Sequence, residues 1–264
     1  MSKGIQWLSL PALLLMLPFY PPSPALAAKP LLVGMELAYP PFEMTDTSGK
    51  PDGVSVHLAK ELGKALGRPV EIKNIAFDGL IPSLKTGKID LIISSMTATA
   101  ERARSIDFSD PYLSTGLCLL IGKSVPTSSI AELDRPGRTI AVKKGTTGHM
   151  YAADHIKMAS VLVLDKEAAA VLEVVQGKAD AFIYDQMSTF KNYQRNQETT
   201  RAILTPFQTE SWAIGIRKGN DQLRMKINHF LAEFRRTGGF ERLGDRYLKE
   251  EKEAFRQLGF PFFL

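Results

Sequence analysis

One arrangement of residue types occurs twice in this chain. The stretches LKTGKIDLIIS and VVQGKADAFIY each run from a helix end through a glycine (Gly87 or Gly177), a lysine and an aspartate (Asp90 or Asp180) into an apolar segment. Short apolar runs alternate with amphipathic stretches from Leu31 onward, which is typical of α/β folds. The pattern predicts two similar α/β lobes in tandem, although such a helix–Gly–Lys–x–Asp–strand connection is also common within a single α/β unit.

The spacing of apolar residues predicts the order of elements around this repeat. Helices are expected where apolar residues recur at intervals of three and four, and strands where short apolar runs are bounded by turn residues. The chain after Pro206 adds a strand and two helices, which would return to cover the first lobe and place two crossings between the lobes. The expected strands are 31–35, 70–75, 89–94 and 211–217, and the expected helices are 56–66, 80–86, 223–234 and 240–248.

The first 27 residues have the composition of a secretory signal sequence. Lys3 precedes a mostly apolar run over residues 5–19, which is shorter than the ~20 residues that a membrane-spanning helix needs. The sequence Ala-Leu-Ala at 25–27 then supplies the small-x-small pattern of a signal peptidase site. We predict cleavage before Ala28 and release into a periplasm; the alternatives are an amphipathic anchor or an ordinary terminal helix.

Composition excludes several classes of protein. Of the 264 residues, 44% are hydrophobic and 23% charged, which suffices for a large core. Lys plus Arg (33) exceeds Asp plus Glu (28) only slightly, and the basic residues are dispersed, so no nucleic-acid partner is expected. A lone cysteine, Cys118, excludes an intrachain disulfide, and the four histidines lack metal-ligand spacing. We therefore expect no metal and no cofactor.

The glycine- and hydroxyl-rich segments favour binding over catalysis. GLCLLIGKS (116–124) departs from the spacing of a phosphate loop and is apolar inside, so it is interpreted as a buried strand. YPPFE (39–43) places two aromatic rings after the first strand, where α/β sheets present ligands. SSMTATAER (94–102) and GTTG (145–148) combine hydroxyl groups with helix starts, and the first adds Arg102, a combination suited to a carboxylate. Together these segments predict two walls of one cleft.

The motifs resemble those of the periplasmic polar amino-acid-binding proteins of ABC importers, solute-binding protein family 3, which includes glutamine- and lysine/arginine/ornithine-binding proteins. The resemblance runs from Leu31 to about Leu248 and rests on the segments YPPFE, FDGLIPSLKTGKIDLIISSMTATAER, SIDFSDPY, AVKKGTTG, GKADAFIYD and WAIGIRKGN. It implies a two-lobe α/β fold of the type II periplasmic binding proteins, with two crossing strands as the hinge. The implied lobes are 28–112 with 212–264, and 113–211.

The resemblance also implies how the backbone of an amino acid would be held. Arg102 would bind the α-carboxylate, helped by Thr97 and Thr147. Asp185, after the strand of the second lobe, would hold the α-ammonium, with Ser95 contributing an oxygen. Both ligand charges must be paired, because removing an ion from water costs several kcal/mol.

The ligand side chain would occupy the other end of the cleft. By the same resemblance, Tyr39 and Phe77 would sandwich it, Glu36 would meet its far end, and Ser94 would line the wall. A carboxylate between two aromatic faces suits a guanidinium or ammonium group. We therefore expect arginine, lysine, ornithine or histidine, with arginine first and glutamine as the main competitor.

Three functions are considered. The leading one is a monomeric, non-enzymatic receptor that delivers an amino acid to a membrane-embedded ABC permease. The second is an exported cyclohexadienyl dehydratase-like enzyme on the same fold, for which Glu210 near the second crossing is the candidate general acid. The third is the sensor part of a signalling system. Two features depart from the family pattern: Ala100 replaces an acidic residue before Glu101, and the apolar tail FRQLGFPFFL matches no family segment.

Overall fold

The computed structural model describes Met1, Gly4 and residues 28–260. The predicted signal sequence, except for Met1 and Gly4, and the last four residues of the apolar tail lie outside the described residues. Within residues 28–260, no helix has the length and apolar character needed to span a bilayer.

Strands and helices alternate along most of this region. The strands are β1 (Leu31–Met35), β2 (Ala38–Tyr39), β3 (Glu43–Thr45), β4 (Pro51–Asp52), β5 (Val70–Asn74), β6 (Leu91–Ile92), β7 (Ile106–Phe108), β8 (Leu113–Gly122), β9 (Thr139–Lys143), β10 (Ser160–Leu164), β11 (Ala181–Asp185), β12 (Thr200–Trp212) and β13 (Gly215–Arg217). The helices are α1 (Val54–Ala65), α2 (Leu80–Lys85), α3 (Ala100–Ala103), α4 (Ile130–Leu133), α5 (Thr147–His155), α6 (Glu167–Val175), α7 (Gln186–Arg195), α8 (Asp221–Arg236), α9 (Gly239–Tyr247) and α10 (Lys249–Gln257). A 3₁₀ turn, Phe77–Gly79, precedes α2.

Two five-stranded sheets form two lobes. Lobe one carries the strand order β5-β1-β6-β13-β7, and lobe two carries β10-β9-β11-β8-β12. In each sheet the first strand of the repeat, β1 or β9, pairs in parallel with its two neighbours. Strand β13 returns from late in the chain and pairs antiparallel with β6 and β7 of lobe one. The predicted two-lobe α/β fold is therefore confirmed.

The repeated motif has the same structure in both lobes. Gly87 and Gly177 end their helices with φ of 77° and 71°, in the left-handed region that favours glycine. Asp90 then accepts a hydrogen bond from the backbone N–H of Leu32 at 3.1 Å. Asp180 accepts the equivalent bond from Thr139 at 2.7 Å. Each aspartate thus joins the start of its own strand to the neighbouring strand of the sheet.

The chain passes between the lobes twice, from β7 to β8 and from β12 to β13. Strands β8 and β12 are antiparallel, and at the crossing Leu113 is paired with Trp212. The predicted single strand 211–217 is wrong in detail, because β12 ends at Trp212 in the sheet of lobe two and β13 begins at Gly215 in that of lobe one. Between them, the carbonyl of Ile214 accepts the N–H of Ser109 at 3.0 Å, and the N–H of Ile214 donates to the hydroxyl of Ser109 at 2.9 Å.

Two further differences concern lobe one. The predicted strand 89–94 is shortened to β6, because the side chain of Ser94, not a backbone carbonyl, accepts the N–H of Glu36 at 3.0 Å. The apolar tail, which matches no family segment, begins inside helix α10, so that its first three residues end this helix. Phe255 is fully buried there and contacts Phe190 of lobe two with ring centroids 5.2 Å apart.

Candidate functional site

One cleft between the lobes collects all the residues that the sequence nominated. These residues are Glu36, Tyr39, Phe77, Ser94, Ser95, Thr97, Arg102, Thr147 and Asp185. Most follow the carboxyl ends of β1, β6, β9 and β11, where parallel strands present loops and helix starts at one edge of a sheet.

Several residues that the sequence did not nominate line the same cleft. They are Glu43, Leu117, Lys143, Thr146, Gly148, Tyr184 and Trp212. A signal for six of them was present in the family motifs. Glu43 ends YPPFE, and Tyr184 and Trp212 lie in GKADAFIYD and WAIGIRKGN, while AVKKGTTG contains Lys143, Thr146 and Gly148. Glu210, which the sequence nominated only as the candidate general acid of an enzyme, lines the cleft as well.

Arg102 lies where the two lobes meet. Its short helix α3 is capped by Thr99, whose hydroxyl accepts the N–H of Arg102 at 3.1 Å. The guanidinium donates to the carbonyl of Thr97 in lobe one at 2.7 Å and to that of Gly145 in lobe two at 2.9 Å. It lies 5.4 Å from the centre of the Phe77 ring. Burial lowers the pKa of Arg102 to about 10, so the side chain stays a cation at neutral pH.

Asp185 is the acidic residue of the opposite wall. It ends β11 and caps α7, accepting the N–H of Ser188 at 3.1 Å. The hydroxyl of Tyr39 in lobe one donates to the same carboxylate oxygen at 2.7 Å. Burial raises the pKa of Asp185 to about 7. This carboxyl group is therefore poised to ionise when a cation arrives.

Glu36 is paired across the cleft. The ammonium group of Lys143, at the end of β9, donates to the Glu36 carboxylate at the end of β1. The two side chains are only 4% and 16% exposed, respectively, so the pair is largely shielded from solvent. Lys143 also lies 5.6 Å from the centre of the Phe77 ring. Any cationic group that reaches Glu36 therefore meets a carboxylate that already has a partner.

Glu43 is a further acidic residue of the cleft lining, and it is buried against serine hydroxyls. The hydroxyls of Ser55 and Ser95 donate to it at 2.7 and 3.0 Å, and Ser94 adds a longer contact of 3.4 Å. Burial raises the pKa of Glu43 to about 8, so this side chain is mostly neutral at pH 7. Ser95 has φ of 47°, a left-handed conformation uncommon for serine, and the Glu43 contact helps to hold it.

Glu210 lies on β12 beside the crossing and is 7% exposed. The hydroxyls of Thr97 and Thr147 donate to one of its oxygens at 3.0 and 3.1 Å, and Gln208 donates to the other at 3.3 Å. Burial raises the pKa of Glu210. The carboxylate thus binds one hydroxyl group from each lobe.

Aromatic rings form the floor between these polar groups. Tyr39 stacks on Phe42 with ring centroids 5.4 Å apart and meets Trp212 and Tyr184 edge-on at 6.0 and 6.1 Å. Edge-to-face contacts of this kind fix ring orientation and leave a rigid apolar surface.

The part of the chain that the structure describes contains neither a metal-binding cluster of side chains nor a reactive thiol. Within residues 28–260, no group of three or more His, Cys, Asp or Glu side chains is arranged to hold a metal ion. Cys118 is buried in β8, as predicted, and burial raises the pKa of its thiol. A thiol that resists ionisation is a poor nucleophile.

Residues 31–250 match the family described as bacterial extracellular solute-binding proteins, family 3. The chain belongs to this family. The match begins at β1 and ends in α10, so it includes both lobes, both crossings and the cleft of this solute-binding protein. The family membership predicted from the sequence motifs is confirmed.

Similar proteins cover most of the length of this solute-binding protein. The L-arginine-binding protein of Pseudomonas aeruginosa is 31% identical over 230 residues, or 84% of this chain and 88% of that protein. The L-cystine-binding protein of Escherichia coli is 28% identical over 217 residues, 82% of each. A solved structure of an ABC transporter binding component from Wolinella succinogenes, complexed with lysine, is 37% identical with a TM-score of 0.77 and covers 82% of this chain and 94% of that one.

Proposed function

We propose that this protein captures one polar, cationic L-amino acid between its two lobes and delivers it to an ABC permease. The observation that carries the proposal is the pair of opposite buried charges on facing walls, Arg102 and Asp185. An amino-acid zwitterion pairs with both at once, and a ligand that contacts both lobes favours their closure.

In this proposal Arg102 and Asp185 bind the ends of the zwitterion. Arg102 has five N–H donors, and its two bonds to backbone carbonyls leave others free to receive a carboxylate. Thr97 and Thr147 lie beside it at the lobe boundary. Asp185 receives the α-ammonium, with an oxygen of Ser95 nearby. The Tyr39 hydroxyl that already binds Asp185 keeps this carboxylate in place.

The ligand side chain is proposed to lie against Tyr39 and Phe77 and to reach Glu36, with Ser94 in the same wall. A guanidinium is favoured, because its planar fork pairs with a carboxylate and stacks on a ring at once. Lys143 competes for the same carboxylate, whereas a neutral amide leaves the Lys143–Glu36 pair intact. A relative that binds arginine and a solved relative complexed with lysine support the cationic assignment. Because another relative binds cystine, the screen described below includes cystine beside the cationic amino acids.

The same proposal includes the organisation of the protein. Residues 28–112 and 212–264 form lobe one, 113–211 form lobe two, and the segments between β7 and β8 and between β12 and β13 act as the hinge. The receptor acts as a monomer in the periplasm after removal of residues 1–27. It is not an enzyme and uses no cofactor.

A dehydratase remains the alternative because Glu210 lines the cleft and burial raises its pKa, as a general acid requires. The remaining charges disfavour it, since a dianionic substrate would meet Glu36 and Asp185. Incubation of the purified protein with prephenate or arogenate separates the two functions. Aromatic product would establish the enzyme, and its absence together with amino-acid binding would support the receptor.

The receptor is tested by calorimetric titration of the purified protein with the twenty amino acids, ornithine, citrulline and cystine. We expect one site per chain, with L-arginine bound most tightly. Better binding of glutamine or of an apolar amino acid than of every cationic one contradicts the side-chain assignment but leaves the receptor. Binding of none of these compounds contradicts the receptor.

A further inference from the structure

Glu210 is the one acidic residue of the cleft that lies on a strand running into a crossing. Its carboxylate oxygen Oε2 accepts hydrogen bonds from two threonines, Thr97 of lobe one at 3.0 Å and Thr147 of lobe two at 3.1 Å. These are the two hydroxyl groups that the proposed function places beside the carboxylate of the ligand. Glu210 therefore binds the groups expected to receive the ligand.

A threonine hydroxyl has a single proton to donate. While Thr97 and Thr147 donate to Glu210, neither can donate to a second carboxylate. A ligand carboxylate at this place also approaches a like charge in a site shielded from water, where repulsion is weakly screened. Both effects act against a ligand that carries a free α-carboxylate.

Arg102 acts in the opposite direction. The Glu210 carboxylate attracts its guanidinium, although two guanidinium N–H groups are occupied by the carbonyls of Thr97 and Gly145. A ligand carboxylate and Glu210 thus share one buried cation and two hydroxyls. Arg102 favours the binding of a free carboxylate, and Glu210 reduces this preference.

We propose that Glu210 is a specificity-determining residue whose carboxylate competes with the α-carboxylate of the ligand for Thr97, Thr147 and Arg102. The inference rests on the proposed function, because it takes the ligand to be an amino acid oriented by Arg102. It follows that the wild-type protein distinguishes an amino acid from its α-amide less strongly than a site with Arg102 but without the Glu210 carboxylate would.

The test compares each amino acid with its neutral α-amide. Wild-type, Glu210→Gln and Glu210→Ala proteins are titrated with L-arginine, L-argininamide, L-glutamine and L-glutaminamide. Thr209→Ala is the control, because Thr209 precedes Glu210 on β12 and is exposed. We expect both Glu210 variants to bind the free amino acid about tenfold more tightly. The affinity for the amide should change by less than about threefold, and the control should match the wild type.

The opposite role is that Glu210 orients the two threonine hydroxyls as acceptors for the ligand ammonium. In that case both variants bind the amino acid and its amide more weakly and to the same degree, and this result overturns the inference. An unchanged affinity for the free acid in both variants overturns it as well. If Glu210→Ala does not fold, Glu210→Gln, which keeps the side-chain shape, decides. Failure of the wild type to bind any of the amino acids in the calorimetric screen overturns the proposed function and this inference together.

Discussion

The two lobes share a scaffold at one end of their sheets and differ at the other. In lobe one, Asp90 pairs with Arg68 at 3.0 Å, and in lobe two, Asp180 pairs with Arg138 at 2.6 Å. Both aspartates also accept a backbone N–H from the neighbouring strand. At the end of the cleft proposed to hold the ligand's α-carboxylate and α-ammonium, by contrast, lobe one presents the cation Arg102 and lobe two the acid Asp185.

This difference indicates that the aspartate–arginine pairs serve stability and that the cleft residues serve binding. The aspartate–arginine pair occurs in both lobes because each lobe must fix the same connection between a helix and the following strand. The residues that differ between the lobes, Arg102 and Asp185, carry charges of opposite sign, and each buried charge requires a counter-charge. An amino-acid zwitterion supplies both partners in one molecule, which neither lobe can do alone. The cleft differs from the scaffold because the two ends of its ligand differ.

The largest expected effect is the loss of the lobe-one cation. Arg102→Ala should weaken L-arginine binding by ~2–5 kcal/mol, about 30- to several-thousand-fold, because the ligand carboxylate loses its buried partner. Calorimetric titration measures the affinity, and circular dichroism checks that the fold is kept. A folded variant whose dissociation constant changes by less than about threefold would show that Arg102 only supports the helix start.

The lobe-two acid should matter nearly as much and should add a pH dependence. Asp185→Asn removes the counter-charge of the ammonium and should weaken binding by ~2–5 kcal/mol. Because burial raises the pKa of Asp185 to about 7, the wild-type carboxyl is largely protonated at pH 6 and must release its proton to hold the ligand. Affinity should therefore fall as the pH drops from 8 to 6.

Titration of the wild type at pH 6 in two buffers of different ionisation enthalpy measures this proton release directly. For L-arginine, whose own groups do not titrate between pH 6 and 8, we expect protons to leave the complex. Proton uptake on binding, or no exchange at all, would rule out Asp185 as the ammonium partner.

Substitutions at the end of the cleft that receives the ligand side chain should change the affinity less, and the two variants should change it in opposite directions. Glu36→Gln should weaken L-arginine by more than about tenfold and L-glutamine far less, because only the guanidinium uses the charge. Lys143→Met should instead tighten L-arginine several-fold, because Glu36 then has no competing partner. Equal losses for both ligands in Glu36→Gln would indicate that Glu36 serves only to pair with Lys143.

The shared scaffold should give the smallest effect on binding. Asp90→Ala and Asp180→Ala each remove a backbone contact and an arginine partner, so each should lower the free energy of unfolding by ~1–3 kcal/mol. Affinity for L-arginine should stay within about twofold of the wild type, since neither residue lines the cleft. Urea denaturation and titration of the same samples measure both quantities. A large loss of affinity with unchanged stability would reverse the division between scaffold and site.

Much of the scaffold could be predicted from local sequence, because it depends on local chemistry. The repeated Gly87 and Gly177 marked helix ends, and apolar runs marked β1 and the β8 strand that contains Cys118. Helix α10 was missed because its sequence is highly charged and buries a single ring, Phe255, whose contact with Phe190 comes from lobe two. The crossing at 211–217 was merged into one strand because sheet membership is set by distant partners.

The site was predicted in part for the same reason. Residues that follow strands could be nominated from motifs, whereas Lys143 acts through an ion pair between lobes. Glu210 could be nominated as a possible general acid, but its contacts with a hydroxyl group from each lobe could not. Glu43 binds serines from two separate stretches, Ser55 and Ser94–Ser95, that only the folded chain brings together. Local patterns therefore identified the walls of the cleft but not the pairings across it.

The most direct test of the account is small-angle X-ray scattering of the wild-type protein titrated with the amino acid that binds it most tightly. Opposite charges on two lobes predict that one bound zwitterion per chain draws the lobes together, so the radius of gyration should decrease in proportion to occupancy, while Arg102→Ala shows no change at the same concentrations. Tight, stoichiometric binding with an unchanged scattering curve would contradict capture between closing lobes.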